Sequence, residues 1–172
     1  FTTCDLRSGY YQVSLAKQDR DKTAFISHRG LHRYTVMPMG LMNAPSTFQR
    51  LMDLVMSGLV FEVCLVYLDD IVIFSRSLDE HLQRLELVLQ RLIATGLKLK
   101  PSKCNLLQRQ VTFLGHVISE KGIATDPAKT EQIVAWPTPN SVHEVRQFLG
   151  LCSYYRRFVS HYAEKASPLT AL

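Results

Sequence analysis

No two of the four cysteines, Cys4, Cys64, Cys104 and Cys152, form a Cys-x-x-Cys pair, so neither a zinc site of paired ligands nor a disulfide framework is indicated. They read as reduced, intracellular thiols. Long hydrophobic runs are missing too: the longest, Val63 to Leu68, is bounded by Glu62 and Asp69 and is far too short to span a bilayer. No membrane partner is expected. Internal repeats and low-complexity tracts are also absent, which removes solenoids and unstructured linkers from consideration. The chain opens on Phe1-Thr2-Thr3-Cys4-Asp5 with no initiator Met, and it is expected to be an internal segment of a larger polypeptide. What is present suits one domain or two small lobes: 172 residues, 47% of them hydrophobic, enough for a substantial core. Twenty Lys and Arg against fifteen Asp and Glu give a net charge of +5, a mild lean toward polyanions.

The stretch that organises the rest is Val66-Tyr67-Leu68-Asp69-Asp70-Ile71-Val72-Ile73-Phe74. Two acids sit between runs of β-branched and aromatic residues, which predicts a strand, a tight turn and a returning strand with the acids at the tip. Adjacent ionised carboxylates repel by roughly a few kcal/mol at a surface-like dielectric, and the motif holds no basic residue to offset them. A hard divalent cation such as magnesium fits, since it prefers carboxylate oxygens and keeps positions for water and phosphate. The plainer reading is that Asp-Asp supplies turn-forming side chains. A third acid in similar surroundings tips the balance. Phe1 to Leu6 reads as a strand with Asp5 near its end, followed by the turn Arg7-Ser8-Gly9 and then Tyr10. Asp5 is either a surface acid or a third metal ligand. Tyr10 is either a core aromatic or a ring packed under a sugar, with the amides of Gly9 and Tyr10 holding phosphate.

Further along, Thr23–Ser27 and Leu31–Val36 predict a hairpin turning at Gly30. Met37-Pro38-Met39-Gly40 is a compact loop whose Pro38 and Gly40 leave bare backbone for a flat ligand. Asn43-Ala44-Pro45 starts a helix that buries Phe48, Leu51, Met52, Val55 and Met56. Ser77-x-x-Glu80 caps a second helix lined by Leu78, Leu82, Leu85, Leu89 and Leu92 and closed by Gly96. Leu97 and Leu99 suggest an edge strand, and Lys103 is either a solvated lysine or a cation beside the acids. Val111 to Ile118 reads as one strand, weakened at Gly115, with His116 a satisfied core histidine. Asp126-Pro127 opens a helix ending at Trp136-Pro137, and the stiff Pro137–Asn140 connector is the best lobe boundary. Ser141-x-x-Glu144 caps a last long helix. Arg146, Gly150 and Tyr154 share one of its faces, where a nucleic-acid groove could be tracked. Phe148, Leu149 and Cys152 fall on the core side. Strands and helices in this order make an α+β sheet covered by helices on one face.

The ordered blocks Asp5-Leu6-Arg7-Ser8-Gly9-Tyr10, Met37 to Pro45, Tyr67-Leu68-Asp69-Asp70, Phe113-Leu114-Gly115-His116 and Phe148 to Leu151 leading to Tyr154–Phe158 resemble the reverse transcriptase of Gypsy-type LTR retrotransposons. The resemblance covers the whole chain, and five blocks in order are far more specific than Tyr-x-Asp-Asp alone. It implies a right-hand polymerase: palm in residues 1–12 and 44–122, part of the fingers in 13–43, and a partial thumb in 123–172 that is cut within its last helix at Leu172. Asp5, Asp69 and Asp70, with the Leu6 carbonyl, would hold two magnesium ions, or manganese in their place. One ion would sharpen the primer hydroxyl and the other neutralise the triphosphate. Ser8, Gly9, Tyr10, Met39 and Lys103 would meet the nucleotide, Tyr10 as the ring that excludes a ribose 2′ hydroxyl and Lys103 as a proton donor. Pro38, Gly40, Tyr67, Leu68, Leu114, Gly115, His116, Arg146, Gly150 and Tyr154 would contact template and primer. Met39 departs from the family, which carries Phe there in Gypsy-type and Gln in retroviral enzymes. Implied partners are an RNA or DNA template with its primer, deoxynucleoside triphosphates, and the ribonuclease H, integrase and protease regions of a parent polyprotein. The expected setting is a cytoplasmic particle with access to the nucleus. A remnant that binds nucleic acid without catalysis is the alternative, and Tyr10 argues against an RNA-templated RNA polymerase.

Overall fold

Short strands are what this sequence can build between its polar turns. In chain order they are β1 (Thr2–Asp5), β2 (Phe25–Ser27), β3 (Gly30–His32), then after helix α1 (Ala44–Val55) the strands β4 (Cys64–Tyr67) and β5 (Asp70–Ile73). Helix α2 (Leu78–Thr95) is followed by β6 (Gln110–Phe113), β7 (His116–Ser119), β8 (Gly122–Thr125) and the helices α3 (Pro127–Val134), α4 (Val142–Tyr154) and α5 (Tyr162–Thr170). The computed structural model describes residues 1–171; the helix end expected at Leu172 lies outside the described residues. Contacts divide the chain into two compact units, Phe1–Val111 and Thr112–Leu172. Among the described residues no helix is long and apolar enough to cross a membrane.

In the first unit β1, β5 and β4 form an antiparallel sheet in the order β1-β5-β4. Alternation along β1 turns Thr2 and Cys4 inward and leaves Thr3 and Asp5 on the other face. Helix α1 covers the inward face with Phe48, Met52 and Val55, and Met56 just beyond it, against Cys4, Leu6, Cys64, Ile71 and Ile73. That is the predicted stripe, with Leu51 half-buried beside it.

The second helix keeps its predicted ends and only part of its predicted face. Ser77 Oγ accepts from the Glu80 amide at 3.3 Å, and Gly96 stops the helix at φ 74°. Leu92 is buried and Leu85 packs against the core as expected, but Leu78 and Leu82 are exposed, and His81 and Val88 are buried in their place. A histidine can take an inward position here because both ring nitrogens find hydroxyls: Nε2 meets Thr2 Oγ1 at 2.7 Å and Nδ1 meets Ser75 Oγ at 2.8 Å.

Two strand expectations change. Leu97 to Lys100 forms one bridge, Leu6 to Leu99, rather than an edge strand. Val111 to Ile118 is not one strand but β6, a turn and β7, because Leu114 at φ 47° and Gly115 at φ 68° both adopt the left-handed conformation that reverses a hairpin. In the second unit β7 and β8 are antiparallel, His116 facing Thr125. The Pro137–Asn140 connector lies inside this unit, joining α3 to α4. Ser141 caps α4 as expected, its Oγ accepting from the Glu144 amide at 3.2 Å. Phe148, Leu149 and Cys152 are half-buried, lining an apolar cleft of about 480 Å³ with Ile133, Tyr155 and Phe158.

Candidate active site

Pairing across the sheet places Asp5 directly opposite Asp70, and Tyr67 opposite the same residue from the other side. Asp69 occupies the turn between β4 and β5. Its position is fixed from three directions. The Leu6 amide donates to the Asp69 carbonyl at 3.1 Å, and Gln49 Oε1 accepts from the Leu68 amide at 2.7 Å. The Leu68 backbone takes φ 52° to make the turn. Gly9 packs against the Asp69 side chain so closely that a Cβ there would stand 2.0 Å from Oδ1. Asp5 is thus brought beside the adjacent pair Asp69 and Asp70 at one end of one sheet.

The electrostatics of this edge are unfavourable as it stands. Burial raises the proton affinity of Asp69, and the charges of Asp5 and Asp70 raise it further, while Lys103 pulls the other way. Asp70 is shifted upward as well, by burial and then by Asp5. Asp69 Oδ1 is buried without a hydrogen-bond partner. The counter-charge within reach is Lys103, whose Nζ lies 3.1 Å from Asp5 Oδ2. A carboxylate oxygen buried without a donor, beside two further acids, suits a cation that brings its own positive charge. Among the described residues the acids do not converge into a ready-made three-ligand chelate, and Asp5 is turned toward Lys103 instead. The donor set fits the chemistry of magnesium, an ion that takes one or two carboxylates and draws its remaining oxygens from water and phosphate.

Beside the acids opens a cleft of about 510 Å³ lined by Asp5, Leu6, Ser8, Met39, Asp69 and Lys103, together with Arg7, Leu99, Lys100 and Pro101. Six predicted residues therefore share one cavity. Tyr10 sits just past it, its ring edge-on to Phe48 at 5.4 Å, and its hydroxyl is shifted upward by burial and by the Asp69 charge. Tyr67 is exposed and Leu68 half-buried at the turn. The loop expected to offer bare backbone does so at Gly40, which is exposed at φ 90°, whereas Pro38 is buried. Sequence reasoning missed the cationic flank, Arg7 and Lys100, and the two glutamines that hold the loops. Gln12 bridges Arg7 and Lys98, donating to both carbonyls at 2.8 and 3.0 Å and accepting from the Lys98 amide at 2.7 Å. Neither glutamine has a sequence signal for this role, since the loop atoms it holds are backbone atoms remote from its own turn of chain.

The second unit collects its own group of predicted residues. Leu114 and Gly115 form the turn, and their carbonyls accept the hydroxyls of Tyr154 and Tyr155 respectively. His116 is packed among Tyr154, Tyr155 and Phe158 with ring centroids 5.3 to 5.6 Å away. It is not the fully satisfied core histidine expected. Nδ1 lies 2.9 Å from the Leu114 carbonyl, but Nε2 is buried without a partner. Arg146 and Gly150 are exposed along α4 with Tyr154, and a Cβ on Gly150 would touch nothing within 4 Å.

An antiparallel sheet that carries three acids beside a cleft and is backed by helices has the α+β architecture of a nucleic-acid polymerase, and solved structures match it over almost the whole chain. The foamy viral protease-reverse transcriptase in complex with double-stranded DNA superposes with a TM-score of 0.93 at 30% identity, covering 99% of this chain and 30% of that one. The same enzyme with an RNA/DNA hybrid gives 0.86 at 30% identity, covering 99% of this chain and 23% of that one. A family model described as reverse transcriptase (RNA-dependent DNA polymerase) matches residues 1–118. The chain belongs to the reverse transcriptase family. Curated relatives include the retrovirus-related Pol polyproteins from transposons 297 and gypsy of Drosophila melanogaster. They are 46% and 41% identical over 99% of this chain, which covers 16% of each. A Tf2-3 transposon polyprotein of Schizosaccharomyces pombe is 36% identical over 100% of the chain and 13% of its own length. The chain spans about a sixth of the length of the first of these relatives.

Proposed function

We propose that this chain is the polymerase core that adds deoxynucleotides to a primer 3′ end, on an RNA or DNA template, by nucleotidyl transfer. The observation that carries the reading is the strand register that faces Asp5 with Asp70, next to the Asp69 turn and a cleft flanked by Arg7, Lys100 and Lys103. Asp5, Asp69 and Asp70, with the Leu6 carbonyl, would hold two magnesium ions, or manganese in their place. When bound, these supply the positive charge that neutralises a triphosphate and eases deprotonation of the primer hydroxyl.

The chain's own side chains do the positioning, which is most of the catalysis in phosphoryl transfer. The turn at Ser8 and the helical start at Gly9 present backbone amides to phosphate. Arg7 and Lys100 flank the same cleft and attract the triphosphate. Lys103, leaving Asp5 as the site fills, is placed to donate a proton to the departing pyrophosphate. The Tyr10 ring, braced by Phe48, excludes a 2′ hydroxyl, and Met39 gives the nucleotide an apolar contact. Residues 1–12 and 44–122 serve as palm, 13–43 as part of the fingers and 123–172 as part of the thumb. Leu114, Gly115, His116, Arg146, Gly150 and Tyr154 contact primer and template. The remaining Pol regions supply protease, ribonuclease H and integrase, in a cytoplasmic particle with access to the nucleus.

Primer extension by the full-length polyprotein's polymerase tests this. Asp69→Asn should lose roughly 10³-fold in extension rate, in line with removing a key charge from a preorganised site. Unchanged extension would leave a protein that binds nucleic acid by charge alone, with steep salt dependence and no magnesium-dependent synthesis.

A further inference from the structure

Two cysteines beside the acids play no part in that chemistry. Thr3 and Asn105 form an antiparallel bridge and exchange both backbone hydrogen bonds, each of 2.9 Å. The bridge is isolated, and one step beyond it in the antiparallel sense come Cys4 on one side and Cys104 on the other. A non-hydrogen-bonded antiparallel pair sets its Cα atoms about 4.5 Å apart, inside the range of about 4.4 to 6.8 Å that a disulfide spans. Cys104 keeps the extended backbone the ladder requires, at φ −86° and ψ 131°. Both side chains turn to the same side: Cys4 is a buried member of the core and Cys104 packs against that core, half-buried.

We infer that Cys4 and Cys104 are a cross-strand dithiol that oxidises to a disulfide, clipping β1 to the segment that carries Lys103. Each cysteine is the sequence neighbour of one member of the Asp5–Lys103 pair, so the bond would pin the two elements that this ion pair joins. The two thiols lie within side-chain hydrogen-bond reach of each other. Cys104 is the more accessible of the two and makes the first attack. Its thiolate displaces one thiol from a small-molecule disulfide, giving a mixed disulfide. Cys4 then loses its proton and attacks Cys104 Sγ, expelling the second small thiol. Two protein thiols and one small disulfide become one protein disulfide and two small thiols, so two electrons and two protons pass to the oxidant. Thiol–disulfide exchange of this kind runs through the thiolate at each step. This inference stands whether or not the chain polymerises.

The test is to equilibrate the full chain with reduced and oxidised glutathione, alkylate it after denaturation and map its peptides by mass spectrometry. Oxidation should remove two of the four alkylatable thiols and yield one linked peptide pair, Cys4 to Cys104, with Cys64 and Cys152 still alkylated. The oxidised form should melt roughly 5 to 15 °C higher, because the bond closes a long loop. Cys104→Ser, at the more accessible position, should abolish the link. Four alkylatable thiols at every glutathione ratio, a glutathione adduct that persists on Cys104, or a bridge to Cys64 or Cys152 would each overturn the inference. The linked peptide from the unsubstituted chain decides the matter even if the serine variant fails to fold.

Discussion

Replacing Gly9 by alanine adds a single methyl group at the point where the first turn meets Asp69. Gly9 lies in a short 3-10 helix at Gly9–Gln12, a conformation alanine adopts without strain, so the whole effect is steric. The new Cβ would stand 2.0 Å from Asp69 Oδ1, 2.7 Å from Phe48 Cζ and 2.9 Å from Asp69 Cγ. The first contact is about 1.4 Å short of ordinary van der Waals distance. Phe48 is fully buried and packed under the sheet, so its ring has nowhere to go. The Asp69 backbone is pinned by Leu6 and, through Leu68, by Gln49. What yields is the carboxylate, which must rotate away by about an ångström or more. Misplacement of that size costs on the order of 100-fold in rate, equal to about 2.7 kcal/mol of transition-state stabilisation. Overpacking adds about 1 to 3 kcal/mol of destabilisation, which for a chain of this size lowers the melting midpoint by roughly 2 to 10 °C. Single-nucleotide extension under rapid quench, with parallel thermal melts, measures both. Extension within twofold of the parent together with an unchanged melt would refute the packing argument.

Three further outcomes follow from the same geometry. Gln49→Leu leaves the Leu68 amide without its 2.7 Å acceptor. It should cost about 1 to 3 kcal/mol in stability and lower kcat more than it raises the nucleotide KM; an equal loss in both would mean the glutamine binds rather than positions. Asp69→Asn tests the electrostatic cost of crowding three acids. The folded-state pKa of Asp69 is raised, by burial first, so its charged form is a net cost once the pH exceeds the folded value. In EDTA at pH 7 the asparagine variant should therefore melt higher than the parent, with the difference vanishing below the unfolded value near 3.8; a lower melt at pH 7 would contradict it. His81 is shifted downward, chiefly by burial, then by the amino terminus and Arg84. The neutral ring's contribution is complete above 6.5 and is lost as the pH falls from there toward the folded value, so urea midpoints should drop between pH 8 and 5.5. His81→Asn should flatten that slope, and parallel slopes would rule the histidine out.

Local chemistry was readable from the residues alone. The acidic tip between β-branched runs, the serine caps at Ser77 and Ser141, the glycine stop at Gly96 and the proline start at Pro45 all depend on neighbours within a few positions. The ordered blocks made the family legible as a resemblance, and the comparisons bear it out. Errors arose where propensity was ambiguous. Val111 to Ile118 looks like one strand until Leu114 takes a left-handed turn that a leucine does not advertise. The leucine stripe on α2 has the right period for a buried face, yet the buried row runs through His81, since two hydroxyls from distant segments satisfy its ring.

The sequence by itself determined where the capped helices begin and which residue types could do the chemistry, because caps and turns act over a few residues. Only the tertiary structure decided that Asp5 faces Asp70, that Gly9 has no room for a side chain beside Asp69, and that Lys103 rests on Asp5. Those facts depend on strand register and close packing between segments remote in the chain, which no local pattern encodes.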